Sequence, residues 1–148
     1  AARIAWFGAL NSLAMTVLKF TSPGVPDLYQ GTELIDLSLV DPDNRRPVDF
    51  ALRERCLAEL EADLVALDLQ DRLAALATSP TDGRLKLWLA WRLLALRQSE
   101  PELFQRGRYT VLRVQGPRRR HVVAFARQTK AAASELIEEL QQTTGRSR

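Results

Sequence analysis

One cysteine, one histidine and one methionine occur in 148 residues, and the first two scarcities close off whole classes of function. The lone Cys56 cannot form an internal disulfide, which excludes a disulfide-stapled scaffold and suits a reducing, cytoplasmic compartment. With only His121 beside it in the inventory, there is no Cys/His cluster to hold a metal. No glycine-rich phosphate loop is present, so no cofactor is implied. The sequence reads as having no apolar run of bilayer length and therefore no membrane role. No signal peptide precedes the amphipathic opening Ala1-Ala2-Arg3-Ile4, and the missing initiator Met leaves open whether Ala1 is the natural start. Neither a repeat nor a low-complexity tract is visible. Charge of one sign is also scarce: 21 basic and 18 acidic residues give a net +3. They are interspersed, which argues against a nucleic-acid partner.

What is there is ordinary globular material, 46% apolar and 26% charged, in a chain long enough for one domain with a real core. Trp6, Leu10, Leu13, Val17 and Phe20 recur at spacings of three and four. Phe7, Ala14 and Leu18 widen that stripe, so Arg3 to Phe20 is predicted as a largely buried helix stopped by Ser22-Pro23-Gly24. Val25 to Tyr29 reads as one short strand limited by Pro26. Pro47 suits the first turn of the next helix, whose inner face is Leu57, Leu60, Leu64 and Leu67 with Cys56 alongside. A shorter helix is expected over Asp71–Ala77. Another, from Leu85 to about Gln98, follows the turn and capping oxygens of Thr81-Asp82-Gly83 and ends before Pro101. Tyr109–Val114 and His121–Ala126 read as strands joined by a basic turn at Gly116-Pro117, and Lys130–Leu140 as a helix.

Between the first two helices lies Ser22 to Phe50, SPGVPDLYQGTELIDLSLVDPDNRRPVDF, rich in proline and glycine and carrying six carboxylates. Connectors beyond about 12–15 residues inside a domain are usually functional or disordered. Val25, Leu28, Tyr29, Leu34, Ile35, Leu37, Leu39 and Val40 give this one too much apolar surface for disorder. It reads as a site-bearing loop. The whole inventory is unsatisfactory as a free-standing fold, because one short strand and one isolated hairpin do not make a sheet.

The loop carries a resemblance. SPGVPDLYQGTEL is similar to the last barrel strand of the α-amylase clan of glycoside hydrolases, with its G-x-P-x-x-Y-x-G-x-E pattern at Gly24, Pro26, Tyr29, Gly31 and Glu33. The continuation DLSLVDPDNRRPVDF, together with DGRLKLWLAWRLLALRQSEPELF and RYTVLRVQGPRRRHVVAFAR, resembles the malto-oligosyltrehalose synthase family over about Arg3 to Arg127. The resemblance implies a fold that is mainly α with a small β component. It would be the tail of a (β/α)8 barrel, with its last strand and flanking helices, plus the first hairpin of a C-terminal β domain. Residues 1–100 would close the barrel and residues 101–148 would begin the β domain. Two departures stand out: nearly all of a barrel of roughly 250 residues is missing, and TKAAASELIEELQQ replaces further strands with a helical pattern.

The resemblance also implies the chemistry. The clan uses an Asp nucleophile and a Glu acid, and a retaining pair sits about 5–5.5 Å apart around a covalent glycosyl-enzyme. In this family the freed reducing-end glucose of a maltodextrin turns over and attacks, replacing an α-1,4 linkage by α,α-1,1. The catalytic carboxylates lie on earlier strands, so Asp27, Glu33, Asp36, Asp41, Asp43 and Asp49 inherit no catalytic role and the fragment alone is expected to be inactive. Sugar recognition needs planar, multiply hydrogen-bonding groups. Asp41, Asp43, Asn44, Arg45 and Arg46 are the candidates to line the acceptor side of the cleft; the alternative is a structural Asp-Pro-Asp-Asn turn paired with its own arginines. Tyr29 is either a platform beneath a sugar or a barrel-interior tyrosine. Gly24, Pro26, Gly31 and Glu33 are assigned to the loop's structure, Glu33 as an internal hydrogen-bond or salt-bridge partner.

Trp88 and Trp91 are read as helix-face core, Cys56 as a buried inert thiol, and His121 as part of a solvated hairpin turn. Two rivals remain: another α-amylase-clan hydrolase or transglycosylase, sharing only the Gly24-to-Glu33 pattern, and a non-catalytic helical interaction module with a basic hairpin.

Overall fold

The computed structural model describes residues 2–66 and 68–129. Most of them are helical: α1 (Ala2–Thr21), α2 (Phe50–Ala66), α3 (Leu69–Ala77), α4 (Arg84–Ser99) and α5 (Pro101–Gln105), followed by strands β1 (Arg108–Val111) and β2 (Phe125–Gln128). The described residues divide into two compact units, one gathering residues 2–20 and 25–95 apart from position 67, the other residues 21–24 and 96–129. The expected tail helix, Lys130–Leu140, lies outside the described residues, as do Leu67 and the side chain of Leu64 in the expected α2 face.

In the first unit three helices share one core. Cys56 and Leu60 of α2, Leu76 of α3 and Leu87 of α4 are buried together with Leu34, which the long connector contributes. Leu57, Leu73, Leu85 and Trp88 pack around them. Full burial of a leucine stabilises by roughly 1.5–3 kcal/mol, so Leu34 gives the connector a fixed point within an otherwise irregular run. The buried thiol and the packed Trp88 are as the sequence indicated. Helix α2 begins three residues later than Pro47 suggested. Asp49 Oδ1 accepts the Leu52 amide at 2.8 Å, and this cap satisfies an orphan donor that a proline cannot. Helix α3 is capped in the same way by Asp68, whose side chain accepts from the Gln70 amide at 2.8 Å.

Helix α1 forms where its alanine- and leucine-rich sequence predicts, but the burial expectation is corrected. Of the proposed stripe only Phe20 is buried (1% exposed), while Trp6 (45%), Leu10 (38%) and Val17 (37%) are exposed. The apolar face exists, and the described residues supply no layer to cover it. The expectation about bilayer-length segments is corrected as well: Arg3–Thr21 is long and apolar enough to cross a membrane, by length and composition alone. The expected strand at Val25–Tyr29 is absent from the described residues. A strand needs a ladder partner, none is present among the described residues, and Val25 is 95% exposed.

The second unit is smaller. Pro101 opens α5 at a position where its missing N–H costs nothing. Phe104 is buried with the Arg97 guanidinium 4.6 Å from its ring centroid. Arg127 closes the helix end, donating to the carbonyls of Leu103 (2.9 Å) and Phe104 (2.7 Å). Strands β1 and β2 pair antiparallel, from Arg108 opposite Gln128 to Val111 opposite Phe125. Both strands sit differently from the sequence reading. His121 belongs to a single 3-10 turn, Arg119–His121, held by amide bonds to Gly116 and Arg118. The ladder therefore ends just past the Leu112–Ala124 bond, and the basic segment is a wide loop in place of a tight turn.

Candidate functional site

The connector from Val25 to Asp49 is organised by three sets of contacts. The first is a neck. Arg53, in the first turns of α2, donates through Nε to Glu33 Oε2 (2.8 Å), through Nη2 to the Gly31 carbonyl (2.6 Å) and through Nη1 to the Asp49 carbonyl (2.9 Å). One guanidinium therefore ties the two ends of the 31–49 segment together. Glu33 Oε2 also accepts the Gly31 amide at 2.9 Å, and Gly31 adopts φ +94°. That left-handed conformation strains any side chain, and an added Cβ would lie 3.2 Å from Val48 Cγ2.

The second set fixes the base of the loop to the core. Lys86 of α4 donates from Nζ to the Leu34 carbonyl at 3.2 Å. Gly83, at φ +84°, brings the turn before α4 so close that a Cβ there would lie 2.7 Å from the Ile35 amide nitrogen. Asp82 caps that turn by accepting the Arg84 amide, and its carboxylate beside the Arg84 guanidinium raises the pKa of Arg84. Burial lowers the Lys86 pKa below its ordinary value and nearby Lys19 adds to this, while Glu33 and Asp36 oppose it.

The third set shapes the tip. Asp36 accepts the Ser38 amide at 2.9 Å and the Arg46 guanidinium at 2.9 Å; these two contacts, the Ser38 amide foremost, hold its pKa below the usual value. Asp43 Oδ2 accepts the Leu39 amide at 2.7 Å, and Asp41 pairs with Arg45 at 2.6 Å on the outer surface. The peptide bond between Asp41 and Pro42 is cis.

The candidate residues consequently separate. Asn44 and Arg46 line a polar cavity of about 190 Å³, together with Asp36, Asp49 and Arg53. The Oδ1 atom of Asn44 is itself inaccessible to solvent and has no hydrogen-bond partner among the described residues. Arg45, Asp41 and Asp43 do not line this cavity. Tyr29 lies elsewhere, 44% exposed, in a cavity lined also by Met15, Lys19 and Asp27. Gly24 takes φ +107° with open space around it, and Pro26 is half-buried.

Two residues were missed in the sequence, Arg53 and Lys86. Each carried a signal. A cation in the first turns of a helix opposes the macrodipole and needs a compensating acceptor, and Lys86 interrupts an apolar run, Leu85 to Ala90, that faces the core. Among the described residues no group of three or more His, Cys, Asp or Glu side chains is arranged to hold a metal ion.

No family model matches the chain. A Mycobacterium tuberculosis protein bearing the provisional name maltooligosyl trehalose synthase is 41% identical over 117 residues, 79% of this chain and 12% of that protein. A crystal structure of a maltooligosyl trehalose synthase superposes with a TM-score of 0.71 at 34% identity, covering 85% of this chain and 16% of the other. The Arthrobacter ramosus enzyme of the same name superposes with a TM-score of 0.61 at 37% identity, covering 82% and 14%. The chain thus spans 12% of the length of the curated relatives it matches.

Proposed function

We propose, from the premise that this chain is homologous along most of its length to a short part of the maltooligosyl trehalose synthases, that it is a segment of such an enzyme and supplies its reducing-end sugar loop. On this reading residues 1–100 complete a (β/α)8 barrel of the α-amylase clan, and residues 101–148 begin a C-terminal β domain. The whole enzyme is cytoplasmic and acts on maltodextrins. A carboxylate elsewhere in the enzyme attacks the anomeric carbon while an acid protonates the departing glucose at O4, breaking the α-1,4 bond. The glucose then turns over and its anomeric hydroxyl attacks the same carbon, displacing the carboxylate and giving its proton to the now deprotonated acid, and the α,α-1,1 bond forms. Nothing is gained or lost overall, so the reaction is an isomerisation. It succeeds only if the glucose is held and water is excluded.

The observation that carries the assignment to this loop is the polar cavity at Asn44 and Arg46. Its volume is on the order of one hexose ring. Sugar hydroxyls both donate and accept, and the carboxylates of Asp36 and Asp49 beside the Arg46 guanidinium supply both kinds of partner in this cavity. The Arg46 guanidinium is a donor for the sugar's oxygens. The 148-residue chain by itself carries none of the catalytic carboxylates in this scheme and is expected neither to transfer nor to hydrolyse maltohexaose.

A segment exchange tests the reading. Placed in frame for the homologous segment of the Mycobacterium tuberculosis relative, this chain should preserve conversion of maltohexaose to a trehalose-ended product. A folded chimera that forms none of that product overturns it.

A further inference from the structure

We propose that Arg53 is a positioning residue for the sugar loop, setting the geometry of the Asp36–Arg46 tip through the neck it closes. This rests on the reading of the loop given above. The geometry is specific to a guanidinium: three of its N–H groups reach Glu33, the Gly31 carbonyl and the Asp49 carbonyl, which are separated in sequence by up to eighteen positions but share one side chain. A planar fork with fixed donor directions can satisfy all three acceptors at once; an ammonium is a point charge and cannot span them. The side chain is largely buried, 17% exposed against 24% for Glu33, so these bonds are partly shielded from water.

The neck also controls what lies beyond it. Asp49 caps α2 through the Leu52 amide, so the outgoing strand of the neck is continuous with a helix start. Leu34, immediately after Glu33, is seated in the core and held by Lys86. Between these fixed ends the loop is long enough to adopt many shapes, and Arg53 removes that freedom by holding the ends together. Arg53 itself lines the cavity with Asn44 and Arg46, so a shift at the neck moves one of its walls.

The test has two arms. In the 148-residue chain, hydrogen exchange of the 31–46 amides is followed for wild type, Arg53→Met and Arg53→Lys, with α4 amides as the control for intact folding. Loss of charge-assisted hydrogen bonds predicts exchange about 10- to 150-fold faster in the loop for Arg53→Met. Arg53→Lys should fall between the two. Loop protection equal to wild type in either variant overturns the proposal, and Arg53→Lys decides the matter alone if Arg53→Met does not fold. In the chimeric enzyme, the ratio of free glucose to trehalose-ended product should rise in both variants. Arg46→Ala in the same chimera separates the two ideas. If Arg46→Ala raises the ratio and neither Arg53 variant does, the positioning role is wrong; if none of them raises it, the sugar-loop reading itself is wrong.

Discussion

The Nζ of Lys86 lies 3.2 Å from the carbonyl oxygen of Leu34, a residue 52 positions earlier in the chain. This bond ties α4 to the root of the candidate loop. Lys86 is 9% exposed and Leu34 is 8% exposed, so a charged group and a peptide oxygen share a largely dry site. Breaking one partner leaves the other unsatisfied, at a cost of about 1–3 kcal/mol.

The first prediction follows from the direction of the Lys86 shift. Burial lowers its folded-state pKa below 10.5, so between that folded value and 10.5 the unfolded chain binds more protons than the folded one. Stability contributed through this group therefore rises with pH across that alkaline window and is flat below it. Urea unfolding of wild type and Lys86→Met at intervals up to pH 10.5 should show their difference growing in favour of wild type. A difference independent of pH would refute the burial argument.

Gly83→Ala is predicted to destabilise the first unit more than Gly31→Ala. Both glycines have positive φ, costing a non-glycine residue about 1–3 kcal/mol. At Gly31 the added Cβ meets a valine methyl at 3.2 Å, which can rotate aside. At Gly83 it meets the Ile35 backbone nitrogen at 2.7 Å, and only a backbone shift relieves that. Chemical denaturation of the two variants gives the ranking, and equal costs would show that the close approach is of no consequence.

How much of this was legible depended on the distance over which each feature is determined. Helices α2, α3 and α4 came from local periodicity, and Asp82 and Gly83 from turn chemistry, within a few residues of their expected ends. The existence of α1 was equally local, but its burial was not, because burial depends on what covers Trp6 and Leu10. The Val25–Tyr29 strand failed for the same reason: a ladder is a property of two segments. Among the site residues, DPDNRR announced itself by composition. Arg53 and Lys86 did not, since the acceptors that tie them to the loop's root, Glu33, Gly31 and Leu34, lie 20 to 52 positions away.

Asp36 provides an acid-side test of the loop tip. Its pKa is held below 3.8 by the Ser38 amide and by Arg46, so it stabilises the fold above about that value and loses this contribution as pH falls through its folded pKa. Asp36→Asn should be less stable than wild type at neutral pH, with the gap closing on acidification below 3.8. Added salt should narrow the gap at neutral pH, because Arg46 is more than half exposed. A gap that survives at pH 2 would mean that the carboxylate's charge is not what holds the tip.

The final prediction separates Arg45 from Arg46, which the sequence treated alike. Arg45 pairs with Asp41 on the outer surface, where both side chains are more than half exposed, and such pairs are worth little. Arg46 pairs with Asp36 and lines the cavity to which Asn44 also contributes. If the loop grips the departing glucose, losing the Arg46 guanidinium removes a charge-assisted bond worth about 1.5–3 kcal/mol. Where that bond forms only in the transition state, transfer slows by roughly 10- to 150-fold. Bond cleavage is spared, the glucose escapes, and water captures the glycosyl-enzyme more often. In the chimeric enzyme Arg46→Ala should therefore release more glucose per trehalose-ended product, while Arg45→Ala should stay near the parent ratio. Asn44→Leu, which replaces a polar lining residue of the same cavity by an apolar one, should follow Arg46→Ala. Parent ratios and rates in Arg45→Ala and Arg46→Ala alike would reduce DPDNRR to a structural turn, and an effect confined to Arg45→Ala would move the sugar contact to the outer face of the loop.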